Sequence, residues 1–282
     1  MNRSDHRTSP AAADRVSYLC LLAIALLIVL PVVWVVSTSF KPQGEIFAIP
    51  ANLFPRRWTG ENYAAVFQGG VFSRYLLNSL IAASGSTALG LLLGVPAAYG
   101  FAKYRYRFSS ALLAFVVITR LFPPIALALP YFLQLRAVNL IDTRPGLIIA
   151  YIPVVLPLII WILEGFFRDF PGEILEAARI DGAGVVRTLT HVVVPTSLPA
   201  LSVATLFGFL VAWNEFVLAL TVTRTPAAQT MPVGIASLIT QFQTYWGQMM
   251  AVASIYLLPV LLLTVVTQRG IVGGLVSGAT KG

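Results

Sequence analysis

Few residues in this 282-residue chain could do chemistry, and they gather in three places. Glu176-Ala177-Ala178-Arg179-Ile180-Asp181-Gly182-Ala183 is a polar, charge-dense passage in an otherwise oily sequence. Its chemistry is recognition. Two acids can meet basic groups on a partner, and the small residues let a backbone press into a groove. Arg120 stands alone in one apolar stretch, and Asn214 and Glu215 stand in another. Opposite charges in such surroundings could couple an ion, line an aqueous path or support a broken backbone. The catalytic inventory is bare. No G-x-x-x-x-G-K-[ST] phosphate loop, zinc spacing or nucleophile elbow occurs. His6 and His191 are isolated, and the lone Cys20 has no partner for an internal disulfide. The chain therefore reads as non-catalytic, with no metal or cofactor of its own.

The elements that position these residues are membrane helices. The composition is 57% hydrophobic and 11% charged, against about 25% charged in soluble domains. Charge-free runs cover residues 16–40, 75–102, 145–163, 188–214 and 225–268. An ionised side chain at the bilayer centre costs ~2.5–3.5 kcal/mol, so such runs mark crossings. The stretch between Arg107 and Arg136 adds one more, with Arg120 inside it. Six helices are expected near 17–38, 76–101, 110–134, 146–166, 199–222 and 250–268, giving an all-α polytopic membrane protein. With the N-terminus inside, eleven Lys and Arg lie inside and seven outside. That bias predicts both termini in the cytoplasm. The net charge of +8 fits attraction to anionic headgroups rather than to nucleic acid, because the basic residues are scattered singly.

The rest divides as follows. Residues 1–16 are expected to be a disordered cytoplasmic tail, 17–272 a six-helix transmembrane domain, and 273–282 a C-terminal cytoplasmic tail. Ala82, Ser86, Gly90, Gly94 and Ala98 recur every four residues and predict a close helix–helix seam. Pro123, Pro124 and Pro130 predict a broken third span. Residues 41–74 and 223–249 read as outer loops, the latter flexible. Within the loop 167–198, Pro171 and Gly182 bound a short helix over 171–181. A second is expected over 184–192, stopped by Pro195 and restarted by Ser197 and Pro199.

Glu176-Ala177-Ala178, Asp181-Gly182-Ala183, Pro195 and Pro199 resemble the signature loop of binding-protein-dependent ABC importer permeases. Trp213-Asn214-Glu215-Phe216 and the ending Gly274 to Gly282 resemble the second permease subunit of carbohydrate importers of the maltose-transporter type. The resemblance implies the type I permease fold. It implies that Glu176 to Ala183 form a coupling helix seated in a cytoplasmic ATPase subunit, with Ser277, Lys281 and Gly282 reaching the ATPase dimer interface. It also implies that the loop 223–249 probes an extracytoplasmic sugar-binding protein. Leu189 replaces a common aromatic and His191 a common Arg or Lys.

The implied function is one half of a heterodimeric sugar pore in a bacterial or archaeal plasma membrane. Its partners would be a homologous permease, two ATPase subunits that bind ATP and Mg, the binding protein, the sugar and membrane lipid. Trehalose or maltose leads as cargo, ahead of polyols or glycerol phosphate. The rival class is an autonomous secondary transporter using Arg120 and Glu215 as an ion-coupling pair.

Overall fold

The computed structural model describes residues 10–104 and 106–279. Among these every regular element is helical, and the only extended pairing is an isolated bridge between Ile239 and Thr244. Four helices are long and apolar enough to cross a membrane, and six crossings result if each of two sharply bent pairs is one span. The chain divides into two compact units, one of Met1–Gln68 with Leu238–Ile255 and one of Gly69–Ser237 with Tyr256–Gly282.

In the first unit, helix α1 (Pro10–Ser39) begins seven residues before the expected span, so residues 10–16 belong to the helix rather than to a tail. From Tyr18 to Leu30 its large apolar side chains are exposed, as is Cys20. A helix apolar all round presents that surface to lipid. The proline-punctuated loop that follows is held by buried hydrogen bonds. Lys41 is only 1% exposed; its Nζ donates to the Asn52 carbonyl at 2.7 Å and lies 4.5 Å above the Trp34 ring. Asn62, at the start of α2 (Glu61–Phe67), donates to the carbonyls of Ser39 at 2.9 Å and Lys41 at 2.8 Å. These bonds satisfy backbone carbonyls of the irregular loop.

The second unit is built around α3 (Val71–Lys103) and α6 (Arg144–Arg168), with α10 (Leu198–Trp213) packed on both. The small-residue stripe on α3 is buried throughout and forms the seam. Ile159 of α6 fills it. A methyl group built on Gly94 would stand 2.7 Å from Ile159 Cγ2, and one on Gly90 2.9 Å from its Cδ1. Gly208 of α10 lies against the same side chain. Where lipid supplies no hydrophobic drive between helices, this close approach yields the dispersion contacts that hold them together.

The third span is broken by a sharp bend. Residues Ser109–Leu121, which include α4 (Ser109–Ile118), meet α5 (Pro124–Ala137) at 98°. Pro123 is extended and Pro124 occupies the first turn of α5, where its missing N–H costs no helical bond. The fifth span also differs from expectation. It stops at Trp213, and a separate short helix, α11 (Val217–Val222), follows. Helix α13 (Trp246–Ala279) continues well past the expected end of the sixth span at 268.

Candidate functional site

The polar passage folds as a hairpin. Helix α7 (Gly172–Ile180) follows Pro171 and places Glu173 in its first turn, where the helix dipole favours an anion. Gly182 adopts a positive φ of 75°. The Ala183 N–H then reaches the Ala178 carbonyl at 2.9 Å and the Gly182 N–H the Arg179 carbonyl at 3.0 Å, the paired bonds of a Schellman stop. Helix α8 (Val185–Thr188) returns, widens into a π turn at Leu189–Val193, and ends as α9 (Val194–Thr196). Pro195 does not stop the chain. It lies in the first turn of α9, and the break falls at Ser197, where the backbone bends by 82° into α10.

The hairpin has two faces. Leu175 is buried with Phe167, Phe170 and Val193 in the core of the second unit, and Ala178 is buried beside it on the same helix. Glu173, Glu176, Ala177, Arg179 and Asp181 are exposed. The two alanines thus divide the work expected of both: Ala178 roots the helix, and Ala177 alone faces outward. Four larger apolar side chains of the hairpin are also exposed, Ile180 at 86% with Ile174, Val185 and Val186. Leu189 packs against the core, whereas His191 is exposed with Nδ1 2.8 Å from the Thr190 hydroxyl.

Around Asn214 and Glu215 the cut helix ends are satisfied by side chains. Glu215 is 8% exposed, and its Oε1 accepts the Leu218 N–H at 2.8 Å, capping α11. The Tyr151 hydroxyl donates to the Glu215 carbonyl at 3.3 Å, and that of Tyr256 donates to the Trp213 carbonyl. Trp213 is stacked between Phe209 and Tyr256, with ring centroids 5.3 and 4.7 Å away. Asn214 is exposed and folds back onto the Leu210 carbonyl at 2.8 Å. Arg120 is also exposed, in the turn Thr119–Leu121 at the bend of the third span. Among the described residues the one ion pair is Arg168 with Glu164, so Arg120 and Glu215 are not joined.

The loop after α11 is not flexible in its first half. Asn78, wholly buried on α3, donates to the carbonyls of Ala227 at 3.1 Å and Gln229 at 2.9 Å. The Ser79 hydroxyl accepts the Met231 N–H at 2.8 Å, which fixes the start of α12 (Met231–Ala236). Asp142 accepts the N–H groups of Arg224 at 2.8 Å and Thr225 at 3.0 Å. Burial alone would raise the Asp142 carboxyl, but these bonds, the Thr225 hydroxyl and the Arg224 charge outweigh it and leave the pKa below its ordinary value. Sequence reasoning passed over Asn78, Ser79, Asp142, Tyr151 and Tyr256. Their signal was a polar group inside or just beside an apolar span, which must find a partner. In the first unit, the second half of the loop forms a tight turn across the Ile239–Thr244 bridge, with Phe242 at its tip 93% exposed. Ser277 lies within α13, while Lys281 and Gly282 lie outside the described residues.

Residues 90–272 match the family described as "Binding-protein-dependent transport system inner membrane component". The chain belongs to this family. It is a permease subunit of an ABC importer, a multi-pass inner membrane component, and the hairpin and broken helices above are parts of a permease. This permease is 38% identical to the trehalose transport system permease protein SugB of Mycobacterium tuberculosis, over 90% of its own length and 92% of the relative's. It is 33% identical to the trehalose/maltose transport system permease protein MalG of Thermococcus litoralis, over 93% and 94% of the two chains. Its fold matches a chain from the crystal structure of a bacterial ABC transporter involved in the import of alginate. The TM-score is 0.76 at 23% identity, with 95% of the permease and 98% of that chain covered.

Proposed function

We propose that this permease forms half of a heterodimeric pore for a disaccharide such as trehalose or maltose, with both termini in the cytoplasm. Two ATPase subunits drive it through the hairpin, and an extracytoplasmic binding protein feeds it. The observation that carries this reading is the two-faced hairpin. One face is rooted in the helical core, and the other offers Ala177, Ile180, Val185 and Val186 together with the acids Glu173, Glu176 and Asp181 and the bases Arg179 and Arg187. An exposed apolar surface edged by charges and anchored from behind suits a partner's groove. ATP hydrolysis in the partner would move the hairpin, and the spans would rock between inward- and outward-facing states. The bridged turn at Phe242 is assigned to the binding protein, and the tail around Ser277, Lys281 and Gly282 to the ATPase interface. The identities of SugB and MalG support trehalose or maltose as cargo. The capped, buried Glu215 weighs against an ion-coupling pair with Arg120.

The test is ligand-stimulated ATPase activity of the purified complex with its own binding protein, across a sugar panel. Stimulation by a disaccharide and its loss in Glu176→Lys are the expected results. Uptake by this chain alone in liposomes, without ATPase or binding protein, would overturn the reading in favour of an autonomous transporter.

A further inference from the structure

Within the first unit, the loop between α1 and α2 folds back on the end of α1 and leaves a cleft of about 230 Å³. Its walls are Val32, Val33, Val36 and Ser37 of α1 and Phe54 and Trp58 of the loop. These walls are fixed by their own bonds. The Ser37 hydroxyl donates to the Leu53 carbonyl, the Thr59 N–H donates to the Phe40 carbonyl at 2.9 Å, and the Trp58 ring lies 5.7 Å from that of Phe40. With Ser37 spent on the loop, the cleft offers a guest mainly hydrocarbon. Arg56 and Arg57 stand between the two aromatic walls in the chain, and both are exposed. The Glu45 carboxylate accepts their backbone N–H groups, and among the described residues neither guanidinium has an ion-pair partner.

The occupant follows from what the cleft adjoins. Its α1 wall continues the surface on which the large apolar side chains from Tyr18 to Leu30 are exposed. Lipid chains cover that surface, and an apolar hollow at its end takes an apolar guest in preference to water. A sugar or a peptide would need hydrogen-bond partners that these walls do not supply. Phe54 and Trp58 are 57% and 62% exposed, at the end of a membrane span, where an indole settles at headgroup depth. A guanidinium beside it matches a phosphate with paired donors, and two without an acid favour a headgroup of net negative charge. Because the loop is already fixed, little ordering entropy is lost when the lipid arrives.

We propose that this cleft binds one anionic phospholipid, which lays an acyl chain against Val32, Val33, Val36 and Trp58 and sets its phosphate on Arg56 and Arg57. The lipid ties the loop to the bilayer surface. The site depends on the membrane span alone and not on the choice of sugar.

The experiment places the assembled complex in nanodiscs of phosphatidylcholine. A rising fraction is replaced either by phosphatidylglycerol with brominated chains or by equally brominated phosphatidylcholine. Bromine quenches a neighbouring tryptophan, and the Trp58 signal is the difference between the unaltered complex and Trp58→Phe, or Trp58→Tyr if the first does not assemble. Half-quenching of Trp58 should need roughly tenfold less brominated phosphatidylglycerol than brominated phosphatidylcholine, the effect of two arginines on an anionic headgroup. R56Q/R57Q should raise the phosphatidylglycerol value to that of phosphatidylcholine while keeping ligand-stimulated ATPase activity, and the two single variants supply the measurement if the double one does not assemble. Equal values for both lipids in the unaltered complex, or a phosphatidylglycerol preference that survives the arginine variants, would overturn the site. So would Trp58 fluorescence that neither brominated lipid quenches, which would assign the cleft to a neighbouring permease, or quenching abolished by saturating binding protein, which would assign it to that partner.

Discussion

Glu215 separates two accounts of the same carboxylate, and a pair of substitutions decides between them. Its geometry is that of a cap: Oε1 sits 2.8 Å from the Leu218 N–H, at the start of a helix of six residues. Glu215→Gln keeps an acceptor oxygen in place and loses only the charge. A short helix has a weak dipole, so that loss is worth a few tenths to about 1 kcal/mol. Glu215→Ala removes the acceptor and leaves a buried N–H unpaired, at a cost of about 1–3 kcal/mol. Unfolding of the detergent-solubilised complex, followed by tryptophan fluorescence, should therefore rank the unaltered chain and Glu215→Gln close together, with Glu215→Ala clearly below. Sugar uptake per folded complex should be near normal in Glu215→Gln. If Glu215→Gln abolishes uptake while melting normally, the capping account is wrong and the charge itself takes part in transport.

Other substitutions probe other links. Gly94→Leu drives a side chain into Ile159 and should destabilise the α3–α6 seam by about 1–3 kcal/mol, read as a lower melting temperature and loss of monodisperse complex. At the hairpin, Ile180→Asp should leave the melting temperature unchanged, because the side chain is exposed, yet abolish ligand-stimulated ATPase activity in the assembled complex. The depressed pKa of Asp142 stabilises the fold above the unfolded carboxyl value near ~3.9, and that contribution is lost as pH falls through the lower folded value. Asp142→Asn should accordingly flatten the fall in stability below about pH 4 in acid melts; an unchanged acid limb would refute the assignment.

Much of the fold was legible because lipid imposes simple rules. Charge-free runs located the crossings, and the four-residue spacing of Ala82 to Ala98 located the seam, since both depend on one helix face at a time. Gly182 was legible too, because a left-handed stop follows from local backbone chemistry. The misreadings arose where a distant partner decides the outcome. Residues 223–236 look like a free loop until Asn78 and Ser79, about 150 positions earlier, take up their backbone groups. Pro195 looks like a stop until a π turn shifts the break to Ser197. The alanine pair looked equivalent, and only the side of the helix that faces the protein distinguishes buried Ala178 from exposed Ala177.

The glycine seam has a mechanical consequence. With Ile159 lodged against Gly90, Gly94 and Gly208, helices α3, α6 and α10 cannot slide past one another without lifting that side chain out of its notch. Together they behave as a stiff strut, and α6 alone, 25 residues long, gives it a reach of about 37 Å. If the hairpin is driven as proposed, a push on it would be carried along α6, at whose end it is rooted. The sharpest changes of direction lie elsewhere, at the 98° bend after Leu121 and the 82° bend at Ser197. In the proposed transport cycle, those two elbows rather than the tightly packed spans are where a stroke would be taken up.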